Sequence, residues 1–442
     1  MVSRTPWATM EAKALTLKEK TYWLDSSGVS SSSTLVLLPE KVDVAVIGGG
    51  YTGLSAARAL AQRGLKVAVL EAETFGWGAS SRNGGMVLTG LKVGMQTVVT
   101  KYGRDLAKRM FQCSLQAIDL VEKIVRDENI DCGFARTGHL LTASKPAHYA
   151  ALADEVEFMG REFNHSLRLV PQPEQRNEIG TDAFYGALVD EVSGGLNPAQ
   201  YVAGLATAAA RAGAVLCAQA QVTQLQRSAG GFTVHTNRGQ LQAQRVFVAT
   251  SGYTGSATPS LRRKIIPIGS FIIATEKLRE DLVRALNPNN RMIFDSMHYL
   301  HYFRVWDQRL IFGGRAAFFP ESSSTVRRSA EILRNDMLRV FPQLKSAQIE
   351  YAWGGTLDFA FDTMAHVGEL EGIGYALGFA GHGVALGTYL GKTAAEAMID
   401  GTLKDHPFNA AGFPGAPLGL YSGQPWFLPF AGLWYWILDL IE

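Results

Sequence analysis

Residues 42–71 read VDVAVIGGGYTGLSAARALAQRGLKVAVLE. Val42–Ile47 starts as an alternation and ends as a continuous apolar run, the pattern of a buried strand. Gly48, Gly50 and Gly53 then fall in a GxGxxG spacing, Leu54 to Arg63 has helical character, and Gly64 stops it. A second apolar strand, Lys66 to Leu70, ends at Glu71. The whole is a βαβ unit of about thirty residues. Gly48 permits the tight turn, Gly50 admits a pyrophosphate to the backbone, and Gly53 lets helix and strand pack closely. Tyr51 and Thr52 open the helix, whose N-terminal N–H groups and partial positive charge favour phosphate. Glu71 lies 18 residues beyond Gly53, where a carboxylate accepts from ribose hydroxyls and repels a 2′-phosphate. Ala72 follows it at the same rim.

The chain outgrows one core: 442 residues against the roughly 250–300 at which a single core stops growing. Apolar residues at 47% and charged residues at 19% exclude wholesale disorder. Lys plus Arg is 42 and Asp plus Glu 40, and a net charge of +2 argues against a dedicated nucleic-acid binder. Cys113, Cys132 and Cys217 are far apart and form no CxxC pair. A disulfide framework or metal site is therefore not expected, and a reducing compartment, the cytoplasm, is. The N-terminus lacks the apolar core of a signal peptide, and no run reaches the ~18–20 apolar residues of a spanning helix.

Outward from the βαβ unit, residues 1–40 read as an irregular lead-in. Leu106, Met110, Leu115, Ile118, Val121 and Val125 mark an amphipathic helix over 104–128. Pro198 to Ala212 predicts another helix, Ala214 to Val222 a strand, and Phe232 to Thr250 a hairpin around Asn237-Arg238-Gly239. Residues 262–320 are strand-rich, and Ser323 to Phe341 is helix-like. Near the other end, strand Ile373 to Phe379 meets a glycine-rich turn, Gly378 to Gly383, and a helix, Val384 to Ile399.

Two further motifs bear chemistry. In Gly78-Ala-Ser-Ser-Arg-Asn-Gly-Gly85, Ser80 and Ser81 can hydrogen-bond phosphate or a ring edge, and Asn83, Gly84 and Gly85 let backbone N–H groups meet a planar ring. Ala79, Arg82 and Met86 flank them. In Gly378-Phe-Ala-Gly-His-Gly383 small residues let a flat ring lie on the backbone. The helix behind it, from Val384 and Ala385, aims its positive end at that ring. Gly381, His382 and Gly383 are the candidates here. His298-Tyr-Leu-His-Tyr-Phe-Arg304 alternates, so His301 and Phe303 should point one way and Tyr302 and Arg304 the other. Aromatic side chains suit an amine through apolar contact and cation–π attraction. His301, Tyr302, Arg315 and Trp353 are the candidate substrate-side residues.

Together, VAVIGGGYTGLSAARALAQRG, GASSRNGG, Ile266-Pro-Ile-Gly269, LIFGGRA (310–316), AWGG (352–355) and YALGFAGHGVALG (375–387) resemble the D-amino-acid oxidase/glycine oxidase superfamily, within it the γ-glutamylputrescine oxidase-like branch. The resemblance covers about residues 20–402. It implies an α/β fold: a GxGxxG-type FAD-binding domain of discontinuous segments with an inserted β-rich (α+β) substrate domain. The FAD-binding segments are expected at 41–130, 196–260 and 349–402, the substrate segments at 131–195 and 261–348, with a lead-in (1–40) and a tail (403–442). Val222, Thr250, Gly252 and Gly354 join the cofactor set. The family's flavin-linking cysteine is absent from WGGTLDFAFD, so FAD should be noncovalent. Where glycine oxidase-like members carry an arginine for the substrate α-carboxylate, this chain has Leu357, which tilts the substrate toward amines. Where sarcosine oxidase-like members carry an oxygen-activating lysine, it has Ile311.

The resemblance implies oxidation of a C–N bond in an amine or imino acid by hydride transfer to flavin N5. The imine is then hydrolysed to a carbonyl, and O2 or another acceptor takes the electrons, giving H2O2 in the oxygen case. A γ-glutamylputrescine-like amine leads. A membrane-associated dehydrogenase passing electrons from an imino acid such as pipecolate to a quinone, and a noncatalytic flavoprotein, are the alternatives. The tail PWFLPFAGLWYWILDLIE (425–442) suits packing on the body or a peripheral place on the inner membrane, since Trp and Tyr favour that interface.

Overall fold

The computed structural model describes residues 17–28, 36–314, 323–416, 419, 421–428 and 430. Strand Lys41–Ile47 lies inside an eight-stranded sheet, paired in parallel with Val67–Leu70 on one side and Gly239–Val248 on the other. Its last residues are buried on both faces, which is why the run is continuously apolar there. Ile373–Leu377 pairs in parallel with the far half of Gly239–Val248, and His366–Leu370 forms one edge. Val215–Cys217 lies beyond Val67–Leu70. The hairpin Val222–Ser228 and Gly231–Thr236 is joined antiparallel to the first half of Gly239–Val248.

Helices Tyr51–Gln62 and Ala385–Asp400 cover one face of this sheet and press on each other. A Cβ at Gly391 would lie 2.2 Å from the Thr52 carbonyl oxygen, so the opening and closing glycine-rich units are locked backbone to backbone. The long helix Arg104–Asp127 packs beside them through Met110, Ala117, Ile118, Val121 and Ile124. Asn197 caps Pro198–Arg211 by accepting from the Ala199 and Gln200 N–H groups.

A second eight-stranded sheet runs in the order Ile349–Phe359, Ile266–Thr275, Arg309–Gly314, His301–Trp306, Met292–Asp295, His139–Thr142, Gly186–Asp190, Arg168–Pro171. Helix Ser323–Val340 covers one face, where Leu333 and Met337 meet Phe271, Ile273, Phe303 and Phe312. The other face looks toward the first sheet. Two expectations are corrected. The lead-in is not irregular throughout: Tyr22–Ser27 is a helix, with Tyr22 and Trp23 fully buried against Ile272, Tyr351 and Trp353. The strand expected over 214–222 stops at Cys217, and Gln219 takes a positive φ before the chain re-enters the sheet at Val222. Among the described residues no helix is long and apolar enough to cross a membrane. The expectation for the tail falls mostly on residues outside the described ones.

Candidate FAD and substrate site

Gly48 leaves strand Lys41–Ile47 with φ +108°, and a Cβ there would stand 2.5 Å from the Ala249 carbonyl oxygen. A Cβ on Gly53 would stand 1.9 Å from the Gly48 carbonyl oxygen. At Gly50 the Cβ space is taken by the Ser80 hydroxyl, 2.7 Å away, which accepts the Tyr51 N–H at 3.1 Å. Glu71 closes the turn from the side: its carboxylate accepts the Gly49 N–H at 2.6 Å and the Glu73 N–H at 2.9 Å. Burial raises its pKa, against those two hydrogen bonds.

Gly48, Gly50, Tyr51, Thr52, Glu71, Ala72, Ala79, Ser80, Asn83, Val222, Thr250, Gly381, Gly383 and Val384 line one elongated cavity of about 420 Å³. Trp77 and Tyr253, in edge-to-face contact at 5.5 Å, also line it. A second cavity of about 330 Å³ is walled by Arg82, Asn83, Gly84, Met86, Leu88, Phe294, Met297, Tyr302 and His382. The two share Ala79, Asn83, Leu357, Gly381 and Val384, so they meet around the Gly381 turn. A bare-backbone cradle beside a carboxylate, opening into a second chamber lined in part by Gly84, Gly355 and Gly381, fits a dinucleotide that ends in a planar ring.

That second turn is held by a residue the sequence reading missed. Asp358, at the end of strand Ile349–Phe359, is buried, and its carboxylate accepts the Gly378 N–H at 2.7 Å. Its carbonyl oxygen accepts the Ala380 N–H at 2.9 Å. Ala380 sits at φ +50°, an uncommon conformation for a residue with a Cβ. Burial pushes Asp358 up to about 6, against hydrogen bonds from the Gly378 N–H and the Ser251 hydroxyl. His382 lines the second cavity, and burial pushes it down to about 3, so it is neutral at pH 7. Its Nδ1 is buried without a hydrogen-bond partner among the described residues.

On the sheet above, strands His301–Trp306 and Arg309–Gly314 pair through a two-residue turn, Asp307-Gln308, with both φ positive. The expected alternation holds. Tyr302 faces the second cavity; its ring fills the space a Cβ would need at Gly313 and Gly84, and its hydroxyl pairs with Ser270 Oγ at 3.1 Å. Burial pushes its pKa up to about 12, so it is protonated at pH 7. Arg304 points the same way and donates to the Gly85 and Leu196 carbonyls at 2.9 and 3.1 Å.

His301 points the other way, so the structure does not bring it to the cavity. Its Nδ1 lies 2.9 Å from Asp295 Oδ2 and its Nε2 3.2 Å from Asp336 Oδ2. Burial opposes its charge, but the two carboxylates prevail and push its pKa up to about 9. Trp353 is likewise removed from the wall, packed with Tyr22 and Trp23, as is Ile311. Gly53, Ser81, Gly85, Gly252, Gly354 and Ala385 stand behind the two cavities rather than in their walls. Arg315 lies outside the described residues.

With this geometry in view, the family profile described as FAD dependent oxidoreductase, DAO, matches residues 43–397. The γ-glutamylputrescine oxidoreductase of Escherichia coli K12 is 34% identical over 359 residues, covering 80% of this chain and 83% of its own. A probable oxidoreductase, OrdL, of Haemophilus influenzae is 32% identical over 387 residues, covering 86% and 88%. Among solved structures, glycine oxidase from Geobacillus kaustophilus superposes with a TM-score of 0.70 at 21% identity, over 85% of this chain and all of its own.

Proposed function

The chain belongs to the DAO family of FAD-dependent oxidoreductases, and from that premise we propose that it oxidises the C–N bond of an amine, a γ-glutamylputrescine-like molecule foremost. Bound FAD supplies a two-electron acceptor for the hydride leaving the substrate α-carbon. The observation that carries the substrate side is the second cavity: apolar along Leu88, Leu141, Phe294 and Met297, polar at Tyr302 and Ser270, charged at Arg82, Lys92 and Asp295, and open to the cofactor cavity at Gly381. Leu357, where the glycine oxidase resemblance places an arginine, borders both cavities and offers no partner for an α-carboxylate. Arg82 and Lys92 on the same cavity's wall leave room for a carboxylate elsewhere on the substrate, and the relative named for γ-glutamylputrescine supports this particular amine.

The protein's share of the work is desolvation and positioning. Apolar walls favour the neutral, reactive form of the amine. The Tyr302 hydroxyl, protonated at pH 7, donates to a substrate acceptor or accepts from its N–H. His382 is too weakly basic to hold a proton at pH 7 and serves as a neutral polar wall. FAD is bound noncovalently in this reading: Cys113, Cys132 and Cys217 are buried and line neither cavity. The imine product would then be hydrolysed by water to a carbonyl and an amine or ammonia, with O2 as the proposed final electron acceptor, giving H2O2.

An anaerobic screen tests this by following flavin absorbance near ~450 nm. γ-Glutamylputrescine should bleach the flavin, and glycine, sarcosine and pipecolate should not. Bleaching by pipecolate alone, with faster turnover on a dye than on oxygen, would replace the proposal with a quinone-linked dehydrogenase. A flavin that dithionite reduces but no amine or imino acid does would reject catalysis altogether.

A further inference from the structure

The loop between Ala79 and Gly85 has its carbonyl oxygens occupied one after another. Asn83 Nδ2 donates to the Ala79 and Ser80 carbonyls at 2.9 and 3.1 Å. Thr21 Oγ1 donates to the Ser81 carbonyl at 3.2 Å, Trp353 Nε1 to Arg82 at 2.9 Å, and Trp23 Nε1 to Asn83 at 2.8 Å. The last three donors come from outside the loop, two from the N-terminal helix region and one from the second sheet. Every peptide here is trans, so each N–H points opposite to the carbonyl before it. Pulling the Arg82 and Asn83 carbonyls toward the two tryptophans therefore turns the Asn83 and Gly84 N–H groups the other way. Both residues line the second cavity, and neither N–H donates to a protein acceptor among the described residues.

We propose that Trp23 and Trp353 are positioning residues for the cofactor: by holding the Asn83 and Arg82 carbonyls they aim the Gly84 and Asn83 N–H groups at the electron-rich edge of the bound FAD ring. Thr21, on the Ser81 carbonyl, braces the preceding peptide, whose Arg82 N–H is taken by the Ala79 carbonyl at 3.2 Å. The inference rests on the chain's family membership and not on the choice of substrate. Two fixed N–H dipoles cost no reorganisation when the ring gains electrons, and they bind its electron-rich reduced form better than its oxidised form. The tryptophans are suited to this because each combines a large buried anchor with one donor. Trp23 is wholly buried and meets Trp306 edge-on at 5.8 Å, so its indole N–H is held in a fixed direction.

The test uses W23F and W353F, which keep the aromatic bulk and delete the donor, with Thr21→Val and Thr21→Ser as a second pair. FAD affinity of reconstituted apoprotein and the two-electron midpoint potential are measured, with urea unfolding of the apoprotein as the control. Each Trp→Phe variant should bind FAD about tenfold more weakly and show a lower potential. A tenfold loss of preference for the reduced form is about 30 mV for a two-electron couple. Thr21→Val should shift both in the same direction by less, and Thr21→Ser should restore them. Variants that lose apoprotein stability yet keep the wild-type potential and FAD affinity would make these residues mere packing and overturn the proposal. If W23F fails to fold, W353F and the Thr21 pair decide the matter by the same readouts.

Discussion

The two glycine-rich turns do the same job with a different balance of means. The first, after strand Lys41–Ile47, is shaped by what cannot be there: side chains at Gly48 or Gly53 would strike the Ala249 and Gly48 carbonyl oxygens at 2.5 and 1.9 Å. The second, after strand Ile373–Leu377, excludes a side chain at Gly378, where a Cβ would lie 2.8 Å from the Met364 carbonyl oxygen, but leaves Gly381 with nothing near a Cβ and is held in addition by a buried carboxylate from the other sheet, Asp358. Steric exclusion acts between residues close in sequence or in adjacent parallel strands, so it writes itself as a glycine spacing. A hydrogen bond from a distant strand leaves no such mark.

The sharpest way to break this contrast is at Gly53. Valine there would meet backbone, which cannot rotate away, and should cost about 3 kcal/mol or more, the upper end of overpacking, with loss of FAD. Denaturant unfolding of the apoprotein measures it. A cost below about 1 kcal/mol would mean that helix Tyr51–Gln62 shifts easily, and that the first turn is no more rigid than the second.

Asp358→Ala comes next. It strips the Gly378 N–H and the Ser251 hydroxyl of an acceptor and should cost about 2 kcal/mol at pH 5. Its pH signature is the sharper test. The folded-state pKa of about 6 lies above the ordinary ~3.9. The folded chain thus binds a proton that the unfolded chain has lost, and stability from this group rises as pH falls from 7 toward 4, by on the order of 2–3 kcal/mol. The alanine variant lacks that rise. Taking the difference between wild type and variant cancels the opposite contribution of His382, whose lowered pKa removes stability over the same acid range. Identical slopes would show that the second turn is held by packing alone.

His301 shifts in the same direction as Asp358, but over a more alkaline range. With a folded pKa of about 9 against an ordinary ~6.5, its pairing with Asp295 and Asp336 is fully felt below pH 6.5 and lost as pH rises through 9. His301→Gln should flatten that alkaline loss, roughly 1–2 kcal/mol given partial solvent screening, and leave the flavin spectrum unchanged. A changed spectrum would return His301 to the substrate side of the flavin, where the sequence pattern had placed it.

What was legible in the chain follows the same division. The GxGxxG turn, Glu71, the GASSRNGG loop and the alternation of His301 and Tyr302 are local patterns, and local sterics and pleating set them. Trp23 and Trp353 look like ordinary core residues one at a time, and their roles depend on which carbonyl each indole finds across roughly 60 and 270 residues of chain. Trp353 does lie on the sheet face that carries the cavity, but further along the strand, where the N-terminal helix covers it. Period-two alternation gives the face and not the position along it. Asp358 stood beside Leu357, the position the resemblance had drawn attention to, yet nothing in WGGTLDF distinguishes a carboxylate that caps a remote turn from one that faces solvent.

The smallest effect on stability should come from Tyr302→Phe, and it tests whether the polar end of the second cavity acts on substrate or only completes the sheet. The phenylalanine ring keeps the space bounded by Gly84 and Gly313. Ser270 loses the tyrosine hydroxyl but still reaches the Gly314 carbonyl at 3.3 Å, so no buried donor is stranded. The melting transition should therefore move by less than about 1 kcal/mol. If the hydroxyl meets the substrate, kcat/KM should nonetheless fall about tenfold, a loss of ~1.4 kcal/mol confined to the reaction. Equal, small changes in both would place Tyr302 with His301 and Trp353 among the residues that build the roof, leaving the shape of the apolar wall to select the amine.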